Sequence, residues 1–164
     1  MVGIRHETRA GHAVTTQQVW RELDRASFAV VSEVTTAGEP RSSGVLYGVA
    51  DRRLYVVIGI HSWKARHLAA NDRVAVTVPV RRGGLLALVA PIPPATISFH
   101  GRATVRTGGE IPGRLARLVP PARRAECAVV EIVPEGEFLL YGIGVPLLGM
   151  RTADTARARV PVGE

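Results

Sequence analysis

Of the 164 residues, 21 are Lys or Arg, and only one of those is a lysine: Lys64, in the stretch HSWKARHL from His61 to Leu68. Ser62 has the side chain of a helix N-cap, so the stretch reads as the opening of a short helix with Lys64 in its first turn. Backbone N–H groups there lack intrahelical acceptors and the helix dipole is positive. A cation in that turn therefore costs roughly 0.3–1 kcal/mol unless an anion accompanies it. A bound phosphate would supply that anion, and a lysine meets it with a compact point charge where a forked guanidinium is bulkier. An exposed charge without a specific role is the competing reading, and Arg66 divides in the same way.

Around this lysine the other polar and aromatic residues each carry two readings. Trp63 suits either a hydrophobic anchor or a stacking ring. Ser42 and Ser43 are either phosphate donors or solvent-facing strand residues. No nucleophile constellation is present, since Gly-x-Ser-x-Gly is absent and carboxylates are not paired at strand ends. His61 and His67 are six positions apart, on different helix faces rather than stacked as i, i+4, so no metal site is read from them. His100 reads as a solvated histidine. Cys127, set among Ala128, Val129 and Val130, reads as small apolar packing. A chain this bare of acid–base machinery suits chemistry carried by a cofactor.

The elements that would position these residues follow from periodicity. Residues 1–14 read as a mobile lead-in, residues 15–150 as one cofactor-binding domain and residues 151–164 as a tail. TTQQVWRELDRA carries a capping box at Thr15 and Gln18, with Val19, Trp20 and Leu23 on one face. Three strands follow: FAVVSEVTT, then SSGVLYGVA after a turn at Gly38-Glu39-Pro40, then LYVVIGI after a tight turn at Asp51-Arg52. Asn71 reads as a left-handed stop for the helix opened by Ser62. RVAVTVPV points Val74, Val76, Val78 and Val80 one way, and TISFHGRATV alternates with Ile97, Phe99, Gly101, Ala103 and Val105 on its buried side. A short helix is expected in PGRLARLV and one or two strands in ECAVVEIVPEGEFLLYGIGV.

Six or seven strands with two or three short helices and no βαβ alternation predict a mainly β fold, a small antiparallel barrel. Residues 85–92 are too apolar to leave in water, so they either cover the barrel or pack on a second subunit; the tail poses the same problem, and a homodimer is favoured. A formal charge of +7 permits nucleic-acid binding. Scattered arginines, only eight aromatic residues and the lack of any nucleic-acid motif argue against it. No eighteen-residue apolar run or signal peptide opens the sequence, which reads as cytoplasmic with no membrane span.

In order and spacing, Gly38 and Pro40, then Ser62, Lys64 and Leu68, then Asp72, Arg73 and Val74, then Gly101 and Ala103 form a pattern. It resembles the FMN-binding split-barrel superfamily, the pyridoxamine 5'-phosphate oxidase-like proteins with their deazaflavin-dependent relatives. The resemblance spans residues 26–106. It implies a six-stranded antiparallel split barrel, a homodimer, and FMN, coenzyme F-420 or, less often, heme in a groove between subunits. It also implies that Lys64, with the N–H groups near Ser62 and Trp63, meets a cofactor phosphate. Arg41, Ser42, Ser43, Gly44, Val45 and the rest of that strand to Leu46 would line the flavin, with Arg41 as an accessory cation and Tyr47 or His61 near the ring. The implied activity is hydride transfer to or from an unidentified small substrate, and the alternative is a flavin, F-420 or heme carrier. Trp63 stands where pyridoxamine phosphate oxidases often have a second phosphate-binding arginine, and Ile58 where a Thr is common. Their Arg-rich substrate-binding C-terminus is not recognisable, so the resemblance does not extend to vitamin B6 oxidation.

Overall fold

A capping box opens the first helix: the Gln18 amide donates to Thr15 Oγ1 (3.2 Å) and the Thr15 amide to Gln18 Oε1 (2.8 Å). The helix, α1 (Thr16–Arg25), buries Val19, Trp20 and Leu23, the apolar face its spacing predicts. The computed structural model describes residues 14–82, 84, 94–108 and 110–163. The lead-in up to residue 13 and the apolar 85–92 segment lie outside the described residues.

Among the described residues seven strands follow, all paired antiparallel: β1 (Phe28–Val34), β2 (Pro40–Ala50), β3 (Arg53–Gly59), β4 (Arg73–Val80), β5 (Ala95–Thr107), β6 (Cys127–Tyr141) and β7 (Arg157–Pro161). The order is β3-β2-β1-β4-β5-β6-β7, and pairing of β3 with β6 closes the first six into a barrel. Local chemistry explains the early turns. Gly38 takes φ +83 between β1 and β2, and Asp51 and Arg52 take φ 49 and 55 in the two-residue β2–β3 turn, where a left-handed pair matches the strand twist. The inward stripe of β4, Val74, Val76, Val78 and Val80, is buried as predicted, at about 1.5–3 kcal/mol per side chain. Edge-to-face rings join α1 to the barrel interior, Trp20 on Phe138 and Phe138 on Phe99, each pair with centroids 5.5 Å apart.

Between β3 and β4 runs α2 (Trp63–Ala70), with Ser62 as N-cap. Past β5, the single turn α3 (Leu115–Leu118) lays Leu115 and Ile111 against Val129 on the outside of the barrel. A second single turn, α4 (Ala153–Ala156), leads into β7.

The expectations for Asn71 and the tail need correction, while the segment from Cys127 to Tyr141, expected to hold one or two strands, is one long strand. Asn71 is extended, at φ −142, because its Oδ1 accepts from the Arg73 amide (3.1 Å) and its side chain serves the next strand instead of a left-handed stop. Finally, the tail finds cover within its own chain: β7 pairs with Glu137–Tyr141, and Met150, Ala156 and Val160 are buried. The tail therefore no longer argues for a second subunit.

The β5–β6 register shifts between Ser98 and His100, and just beyond the shift Gly101 lies so close to β6 that an added Cβ would collide with the Val133 carbonyl oxygen. Backbone cannot retreat from such an overlap without breaking the ladder. Gly101→Ala is expected to lower unfolding stability by about 1–3 kcal/mol, measured by chemical denaturation, the range of core overpacking. A loss below about 0.5 kcal/mol, ordinary for a surface change, would contradict the close approach.

Candidate cofactor site at the start of α2

At the start of α2, the Ser62 hydroxyl accepts from the Ala65 amide (3.2 Å) and the Ser62 carbonyl from the Arg66 amide (3.3 Å). The Trp63 and Lys64 amides have no hydrogen-bond partner among the described residues, and no acidic residue occupies the first turn. These are the local conditions for holding an anion. Lys64 is half-buried. Its side chain borders a cavity of about 10 Å³ inside the barrel, with Val31, Val45, Val56, Ile58, Leu68, Val130 and Ile132. Burial holds its ammonium below the ordinary lysine value, and the charge of Glu33 opposes that shift.

The remaining predicted residues divide by face. His61 is exposed and Trp63 is 44% exposed, so Trp63 is no core anchor; its indole leans on the His67 imidazole, centroids 5.2 Å apart. Arg41 lies opposite Glu33 in the β1–β2 register, yet its guanidinium meets Glu39 at 3.3 Å. Ser42 faces outward and shares a hydrogen bond with Ser32, Oγ to Oγ 2.7 Å. Ser43 Oγ is buried with no partner among the described residues. Gly44 lies beneath the Phe28 ring, where a Cβ would come within 2.7 Å of the ring carbons.

Strand alternation sends neighbouring side chains to opposite faces, so Arg41 to Leu46 cannot all present side chains to one ligand. Val45 turns inward to the Lys64 cavity. Tyr47 is also corrected. It is 1% exposed and its hydroxyl donates to the Leu23 carbonyl at 2.6 Å. Burial pushes its phenol far above the usual range, with Arg114 pulling the other way. It is a barrel-to-α1 tie, sealed away from a surface ligand.

Two ionisable residues beside Lys64 are not among the predicted ones. Glu33 has 1% side-chain exposure, and neither of its oxygens has a hydrogen-bond partner among the described residues. His67 Nδ1, equally unpartnered, lies 3.6 Å from Glu33 Oε1. A carboxylate so buried is costly by several kcal/mol unless a cation answers it. The signal is present in the sequence, for Glu33 stands on the inward side of Ala29-x-Val31-x-Glu33.

A profile of the pyridoxamine 5'-phosphate oxidase family matches residues 15–137, which contain the whole of α2 and the barrel strands up to the middle of β6. The chain belongs to the pyridoxamine 5'-phosphate oxidase family. Among solved structures, similar folds to this family member include General Stress Protein 26 from Bacillus anthracis, with 16% identity over 77% of this chain and 91% of that one, TM-score 0.57. An F420 reductase shows 17% identity over 72% of this chain and 93% of that one, TM-score 0.52. The heme storage protein HutZ from Vibrio cholerae shows 16% identity over 79% and 96% of the two chains, TM-score 0.54. No curated protein sequence matches this pyridoxamine 5'-phosphate oxidase family chain. Members and neighbours of the family thus share the split barrel while differing in the cofactor their names carry. Among the described residues no helix is long and apolar enough to cross a membrane.

Because Lys64 is the only lysine in the sequence, reductive ¹³C-methylation places one side-chain reporter on its ammonium. We expect that signal to titrate below the ordinary lysine value of about 10.4, and to move lower still in Glu33→Gln, which removes the opposing charge. A titration at or above the ordinary value would contradict the half-buried position.

Proposed function

We propose that this chain binds a phosphate-bearing flavin, FMN or coenzyme F-420, at the start of α2 and works as an oxidoreductase on a small substrate. The observation that carries the reading is Lys64, the one lysine, placed beside two free amides in a helix turn that holds no acid. Lys64 and the Trp63 and Lys64 amides would hold the phosphate, a fit of point charge and donors to an anion. The exposed Trp63 and His61 are the nearby groups available to a ring. When bound, a flavin or deazaflavin supplies the hydride chemistry. The protein has to fix the phosphate, orient the ring and limit water. The family membership and the F420 reductase fold support this reading.

A carrier function is the second reading. It is favoured by the likeness to a heme storage protein and by the buried position of Tyr47, which removes a phenol from reach of a ligand. Titration of the purified protein with FMN, F-420 and heme side by side separates the ligands. A bound flavin that neither reductant nor acceptor can turn over would identify the carrier.

If Lys64 holds the phosphate, Lys64→Ala weakens FMN or F-420 affinity by about 1.5–3 kcal/mol, the scale of a charged hydrogen bond. The far-ultraviolet circular dichroism should stay unchanged. Equal affinity in the folded variant would end the phosphate assignment.

The proposed unit is a homodimer. Phe28 and Leu46 stand opposite each other in the β1–β2 register, and both are exposed on the outer face of the barrel beside Gly44. Their exposure is the kind of apolar surface a second copy would cover. Light scattering is expected to give twice the monomer mass for the wild type and a shift to monomer for Leu46→Glu. A monomeric wild type at micromolar concentration would rule the dimer out.

A further inference from the structure

Glu33 and His67 are drawn together by no regular element: one lies near the end of β1, the other in the last turns of α2. Apart from Ala65 and Leu68, α2 buries no side chain, so apolar contact gives it a narrow hold on the barrel. The Glu33 carboxylate is buried beneath it, with few charged groups around. From α2 come His67, with Nδ1 3.6 Å from Oε1, and Lys64, whose ammonium feels the Glu33 charge. From β2, Arg41 is opposite in register but is engaged with Glu39. Beyond α2, Asp72 is paired with Arg102. The β4 residues opposite β1 are Ala75, Val76 and Thr77, which bring no charge, and the β3 residues at the adjoining cavity are Val56 and Ile58.

We propose that Glu33 is the positioning residue of the α2 site: its buried carboxylate faces the His67 imidazole and the Lys64 ammonium, and so docks α2 and fixes where Lys64 stands. Two unpartnered buried atoms of complementary chemistry, Glu33 Oε1 and His67 Nδ1, need only a small approach to form a charged hydrogen bond. The device does not depend on which ligand α2 takes.

The test is hydrogen-exchange protection of the α2 amides in the whole chain without ligand, read against β4 in the same sample. Glu33→Gln and His67→Gln are each expected to lower α2 protection about 10-fold while β4 keeps its own. Should a single variant fail to fold, the double variant Glu33→Leu with His67→Leu replaces the pair with apolar volume and is expected to fold with α2 protected as in the wild type. Level α2 protection in folded Glu33→Gln, or β4 protection that falls as far as that of α2, would each overturn the proposal. All of these readouts are taken without cofactor, so they hold whether or not FMN or F-420 binds.

Discussion

Closure of the barrel rests on β6, which has to satisfy two partners on one edge. Its other edge is given to β5. On the free edge, Cys127 to Ile132 pair with β3 and Glu137 to Tyr141 with β7. Without the first of these pairings β3 would be an open edge, with its amides and carbonyls facing water or another chain. The bend between the two halves contains Pro134 and Gly136, the latter at φ +70. One strand therefore serves both the closed barrel and its outer extension. The position of β3 matters in turn for α2, because the strand ends at Gly59 and the Ser62 cap follows closely. The Ile60 amide bonds the Glu126 carbonyl just before β6, so the lead into α2 is also tied to the closing strand.

The charges inside this frame are arranged unevenly. Outside the barrel, Glu131 is covered by Arg53 at 2.7 Å and Arg106 at 3.0 Å, a carboxylate answered from both neighbouring strands. Inside, Glu33 has no such clasp and relies on α2. A fully paired carboxylate stiffens a sheet, whereas a partly paired one under a lightly held helix leaves that helix less firmly docked. The same α2 carries the lysine and amides suited to an anion, so a loosely paired buried carboxylate lies under a position suited to an anion.

Local signals are legible in the sequence, and distant pairings are not. The Thr15–Gln18 capping box, the Ser62 cap, the Asp51-Arg52 turn and the valine stripe of β4 depend on residues within a few positions of each other. Backbone propensity and side-chain period therefore reveal them. Asn71 is ambiguous because its amide oxygen has two local uses, and the choice of the Arg73 amide depends on where β4 starts. The tail misleads because its cover is β6, a pairing that periodicity cannot announce. At the site, Lys64 stands out through its rarity and its place after the cap. Tyr47 does not: only the packing of α1 shows that its hydroxyl is spoken for. Glu33 is visible on the inward side of an alternating strand, but its importance emerges only when α2 brings His67 and Lys64 over it.

Thr16, at the first turn of α1, donates its hydroxyl to the carbonyl of Pro161, the last residue of β7, at 3.0 Å. The two extremities of the described chain therefore meet at one spot. A label placed at residue 16 would crowd one placed at residue 161. A permuted gene that bridges them with a few flexible residues would preserve every strand neighbour while opening the chain elsewhere, for instance in the turn at Gly38.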